Sequence, residues 1–129
     1  MKKFFSTFLI ALAIALVQFA APAQVQAQDV YCGTYESGLK AYAMSETIQM
    51  GTPGFRRFDI RIKAVDSNGR IVVYVDYHFW NDPNEPIKFS NSQGYSGIVD
   101  RYSTPVEYNI WNYAQPISSA RWSQQIGRG

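Results

Sequence analysis

The stretch "FRRFDIRIKAVDSNGRIVVYVDYHFW", residues 55–80, holds two alternating runs joined by Asn68-Gly69. Asn-Gly between alternating apolar and polar residues is the strongest short-range signal for a β-hairpin. With Asn68 and Gly69 as the two central residues of a type I′ turn, Ser67 faces Arg70 and the whole register follows. One face then pairs Ala64 with Val73, Ile62 with Val75, Ile60 with Tyr77, and Phe58 with Phe79, all apolar. The other pairs Lys63 with Tyr74, Arg61 with Asp76, Asp59 with His78, and Arg57 with Trp80. A four-residue loop would set Asp59 against Asp76. A three-residue connection without a bulge would oppose charged residues to apolar ones. Like charges directly opposite are unfavourable, whereas complementary pairs contribute about 0.2–1 kcal/mol each. The register that sorts both faces is therefore the expected one.

Further strands are predicted on either side of this hairpin. "DVYCGTY" near residue 30 reads as a short strand. Residues 39–50, "LKAYAMSETIQM", alternate with Tyr42, Met44, Ile48 and Met50 on the expected core side. Glu46 is the misfit in that row, because an unpaired buried carboxylate is costly. A β-bulge near "MSET" that turns it outward resolves the conflict; a buried polar partner or a catalytic acid are the alternatives. "GTPG" (residues 51–54) is a turn, "NDPNEP" (81–86) a loop, and "IKF" and "GIV" are candidate short strands.

A helix is predicted at "TPVEYNIWNYA", with Thr104 as N-cap, Pro105 at N1 and Glu107 at the capping-box position. Val106, Ile110, Tyr113 and Ala114 recur on one face, and Pro116 is expected to end the helix. The remainder reads as an irregular tail whose Ile117 and Trp122 dock on the body. The fold class is thus α+β. A small twisted, mostly antiparallel sheet of four to five strands carries one C-terminal helix on its apolar face.

The N-terminus reads differently. Lys2 and Lys3 precede an uncharged apolar run over residues 4–17, and "APAQVQA" supplies small residues for cleavage after Ala27. This is the pattern of a secretory signal peptide. The apolar run is shorter than the roughly 20 residues a bilayer span needs. The expected organisation is a cleavable signal over residues 1–27 and one small domain over 28–129. The protein is then secreted or periplasmic, with no stable membrane anchor after cleavage. Removing Lys2 and Lys3 from 12 basic residues leaves 10 against 10 acidic ones. Without excess positive charge, nucleic acid is not an expected partner. The lone Cys32 has no partner for an internal disulfide and lies in an apolar run, so it is expected to be buried.

His78 is the only histidine. With Asp76 or Asp59 it could serve a small hydrolase, with or without a metal, but Arg57, Arg61 and Lys63 on the same face oppose a bound cation. "GYSG" at residues 94–97 lacks the spacing of a nucleophile elbow around Ser96, and "DPNEP" lacks that of a calcium loop. No cofactor is implied. The leading expectation is an exported, non-catalytic binding or interaction module, with a protein, peptide or glycan of the envelope or exterior as partner. Its candidate ligand-binding residues are Arg57, Asp59, Arg61, Tyr74, Asp76, His78 and Trp80. A purely structural envelope protein is the remaining alternative.

Overall fold

The computed structural model describes residues 29–127. The proposed signal peptide lies outside the described residues. Six strands form one antiparallel sheet in sequence order: β1 (Val30–Thr34), β2 (Lys40–Met50), β3 (Arg57–Val65), β4 (Ile71–Trp80), β5 (Lys88–Asn91) and β6 (Ser96–Ile98). One helix, α1 (Pro105–Gly127), follows. The α+β class holds, with six strands rather than four or five; both "IKF" and "GIV" contribute one. Every connection is a hairpin between neighbours, so the sheet is a simple meander that curls around its apolar face.

The central pairing is the one the two faces demand: Arg57–Trp80, Phe58–Phe79, Asp59–His78, Ile60–Tyr77, Arg61–Asp76, Ile62–Val75, Lys63–Tyr74 and Ala64–Val73. The turn itself differs. Asp66 N–H donates to Arg70 O at 2.9 Å and Gly69 N–H to Asp66 O at 3.1 Å, which closes a three-residue connection over residues 67–69. Asp66 Oδ1 accepts from the amides of Asn68 and Arg70, both at 2.9 Å, and Gly69 takes φ +80°. This loop alone would shift every pair by one residue. The shift is undone at once, because Val65 pairs with Ile71 and Ala64 with Val73, leaving Val72 as an exposed bulge. A bulge costs one unpaired residue, whereas the uncorrected slip would turn Asp76 and His78 into the core.

A second bulge reshapes β2. Met44 pairs with Arg61 and Gln49 with Asp59, so residues 45–48 stand against Ile60 alone. Inward-facing residues change phase across it, from Ala41 and Ala43 to Ile48. Tyr42 and Met44 therefore lie on the outer face rather than in the core, and Glu46 is exposed as the bulge reading requires. Alternation in "AYAMSETIQM" is real, but its phase breaks midway. The Thr47 hydroxyl repairs the gap, donating to Met44 O at 2.6 Å and accepting from Arg61 N–H at 2.9 Å. In β1 the extra residue is Cys32, between Tyr31–Tyr42 and Gly33–Ala41. It is 2% exposed, and burial pushes its thiol up to about 11, with the Ala43 amide pulling the other way.

Inside the curl, Phe58, Tyr77, Phe79, Phe89 and Trp111 form one aromatic cluster with neighbouring centroids 5.2–6.4 Å apart. Helix α1 lies across β1–β3 and buries Val106, Ile110, Trp111, Ala114 and Ser118. It does not end at Pro116. Pro116 is on the exposed side, and the N–H it lacks would have bonded the carbonyl of Asn112, also exposed, where water can satisfy it. An interior proline costs about 3 kcal/mol. Beyond it, Ile117 packs on the core, Ser118 Oγ donates to Gly54 O at 2.6 Å, and Trp122 closes over Gly54. What reads as an irregular tail is thus the second half of the helix. Among the described residues no helix is long and apolar enough to cross a membrane.

At Gly54 a Cβ would stand 2.8 Å from Trp122 Cβ. Gly54→Ala is expected to destabilise the fold by about 1–3 kcal/mol through overpacking, read as a lower urea midpoint at unchanged slope. Cys32 is expected to resist thiol reagents in the native protein and to react fully once urea unfolds it.

Candidate functional site

Alternation along β3 and β4 sends Arg57, Asp59, Arg61, Lys63, Tyr74, Asp76, His78 and Trp80 to the face away from α1. Cross-strand contacts pair them. Arg61 donates to Asp76 from Nε at 2.7 Å and from Nη2 at 3.2 Å, a fork matched to the carboxylate. His78 Nδ1 is 2.6 Å from Asp59 Oδ1. The Arg61 guanidinium lies over the Tyr74 ring at 5.5 Å, and His78 stacks on Trp80 at 5.2 Å between centroids. Arg61 and His78 thus each have a carboxylate on one side and an aromatic ring on another.

Not all predicted site residues converge. An open cleft of about 650 Å³ is lined by Asp59, Arg61, Asp76 and His78, joined by Thr47 and Gln49 from β2 and by Ser90, Asn91 and Ser92 at the end of β5. Arg57, Tyr74 and Trp80 do not line it. Arg57 instead bonds Asp82 at 2.7 Å, while Tyr74 and Trp80 brace the cleft's cation and imidazole from outside. Lys63 departs furthest from the solvated face expected of it. It is 3% exposed and paired with Asp29 Oδ2 at 2.7 Å, the acid being fully buried.

Ser90 and Ser92 could not be placed from sequence, because the proline-rich loop hides the register of β5. The structure pairs His78 with Ser90, and Ser92 Oγ accepts from Asp76 N–H at 2.9 Å. Asp59, His78 and Ser90 therefore lie in one row across three strands. Among the described residues, however, no hydrogen bond links His78 to Ser90, and the Asp59–His78 pair is about half exposed. A serine nucleophile is activated by contact with its base, and among the described residues Ser90 and His78 make no such contact. Glu46, the other acid considered for catalysis, points to solvent. Among the described residues no group of three or more His, Cys, Asp or Glu is placed to hold a metal ion.

Electrostatics follow the ladder. The hydrogen bond from Arg61 holds the Asp76 carboxyl below its usual range despite some burial, and Asp76 in turn raises the arginine. Asp100 is likewise lowered, by the amides of Ser103 and Tyr102 and the Ser103 hydroxyl, in the loop before α1.

On the inner face, directly behind the cleft, lies a polar group that sequence reasoning missed. Tyr77 donates to Glu107 Oε2 at 2.5 Å and is 2.9 Å from the Tyr35 hydroxyl. Since the single Tyr77 proton is committed to Glu107, Tyr35 donates to Tyr77. Burial, then the proximity of Tyr35 and Glu107, drives the Tyr77 phenol far up; burial pushes Tyr35 up to about 12. Glu107 therefore serves the core rather than the expected capping box. Thr104 Oγ1 also turns away from the helix, accepting from Asp100 N–H at 2.7 Å and donating to Ile98 O at 2.8 Å. The signal for a capping box and for an acid that bonds a core tyrosine is the same residue type, so only the position of Tyr77 distinguishes them.

Comparison of the chain with protein-family models, with curated proteins and with solved structures finds no match.

Because the folded pKa of Asp76 lies below its unfolded value, its contribution to stability is fully present above the unfolded pKa. It is lost as pH falls through the folded pKa. Asp76→Asn is therefore expected to lower the urea midpoint at neutral pH, with the difference from wild type vanishing in acid. A difference that persists unchanged at the lowest pH would assign the effect to packing instead of charge.

Proposed function

We propose that the protein is a small ligand-binding module whose recognition site is the outer-face cleft centred on Asp59, Arg61, Asp76 and His78. The observation that carries this reading is the bracing of the cleft's guanidinium and imidazole. Arg61 and His78 are each held by a cross-strand carboxylate and an aromatic ring, so little side-chain freedom remains to be lost on binding. The cleft volume also falls within the range of about 300–1,000 Å³ seen for ligand sites.

The binding reading is favoured over hydrolysis because the Asp59–His78 pair has no bonded nucleophile beside it among the described residues. It accords with the signal-like N-terminus, which supports an export to the periplasm or the outside of the cell, where the partner would be found.

Filling the cleft provides the test. Ser90→Arg introduces a long cation from β5 while leaving the inner core untouched. Wild-type protein immobilised on a support is expected to retain a component of its native envelope or medium that Ser90→Arg, shown to melt at the same temperature, does not retain. A component held equally by both forms, or none held by wild type, would overturn the reading.

A further inference from the structure

We infer that the ligand of the cleft is an uncharged carbohydrate, an assignment that rests on reading the cleft as a binding site and names its chemistry. The first argument is that no apolar side chain faces the cleft among its lining residues. Ile60 and Tyr77 border the cleft, but their side chains are 2% and 1% exposed on the opposite face, so they present main chain there. An apolar ligand would cover the carbon stems of these side chains but would also strip water from their charged and polar ends, at a cost with no compensating hydrogen bond.

The second argument concerns charge. The Arg61 fork is occupied by Asp76, and His78 Nδ1 by Asp59. A ligand carboxylate or ammonium would have to compete with a partner already at contact distance and held by the backbone. Hydroxyl groups face no such competition. Each carboxylate keeps lone pairs beyond those its partner uses, the guanidinium has five N–H donors, and a hydroxyl both donates and accepts.

The third argument is shape. Gln49, Asp59, Arg61, Asp76 and His78 are all planar polar groups, whereas the Asn91 oxygen is taken by the amides of Gln93 and Tyr95. Those that carry two neighbouring polar atoms match adjacent hydroxyls on a sugar ring, as flat forks match any bidentate partner. An open cleft on a sheet further suits a chain of sugar units better than a molecule that must be engulfed.

Nuclear magnetic resonance titration of the isotope-labelled protein tests this, with maltotetraose, mannotetraose and chitotetraose as neutral probes and hexaglutamate and hexalysine as charged ones. The expected result is a saturable shift of the Thr47, Asp59, His78 and Ser90 amides with a neutral oligosaccharide. Gln49→Ala and His78→Ala, checked for folding by their spectra, should each weaken it about tenfold. Saturable shifts of the same amides with a charged peptide alone would overturn the carbohydrate assignment and leave the binding site standing. Saturation by a sugar at residues away from the cleft would overturn both. No saturable change with any probe would overturn the carbohydrate assignment, while capture by the cleft remains decided by the Ser90→Arg comparison.

Discussion

The constraint on which this structure depends is the register between β3 and β4. Their pairing places Phe58, Ile60, Ile62, Val75, Tyr77 and Phe79 on one side and the charged ladder on the other. A slip of one residue would turn one strand over against the other, carrying Asp76 and His78 of β4 into an aromatic core. That penalty is large enough to dictate local detail elsewhere. The connection at Asp66–Arg70 adopts a three-residue form, and the chain then gives up a ladder position at Val72 to restore the pairing. Turn chemistry yields to face chemistry here, because the turn affects one residue and the faces affect them all.

The same comparison explains how much was legible in the residues alone. The hairpin could be read because two strands of opposite patterning constrain each other, and the polar pairs Asp59–His78 and Arg61–Asp76 fall where the patterning puts them. Strand β2 could be read only in part. Tyr42 and Met44 are apolar enough to pass as core residues, and Ala41 and Ala43 small enough to pass as surface ones. The buried row uses the alanines because α1 lies across β1–β3. Glu46 was informative for the opposite reason, since a carboxylate in a buried row demands a bulge. Lys63 and Pro116 were misleading because each obeys a long-range partner: Asp29 for the lysine, and the Gly54 loop for the helix beyond the proline. Of the candidate site, the half on β3 and β4 was visible. The half contributed by β2 and β5 depends on bulges and loops that short-range patterning does not encode.

As a recognition surface, the proposed cleft has an unusual division of labour. Its aromatic residues stand behind the polar ones, Tyr74 under Arg61 and Trp80 against His78, and contribute rigidity in place of contact area. The polar groups are thereby presented in fixed orientations from regular strands, which hold geometry better than loops do.

The part-buried line Tyr35–Tyr77–Glu107 adds a safeguard of a different kind. A slip of two residues between β3 and β4 keeps inward residues inward, so on the outer face only the charge pairs oppose it, as when Asp59 would meet Asp76. It would bring Val75 or Phe79 to the place of Tyr77, opposite Glu107, with no hydroxyl to offer the carboxylate. The tyrosine therefore distinguishes the native alignment from its nearest apolar imitation, at the strand position between Asp76 and His78. Alignment of the outer ladder is enforced from inside the core, by a proton donor that no ligand in the cleft would touch.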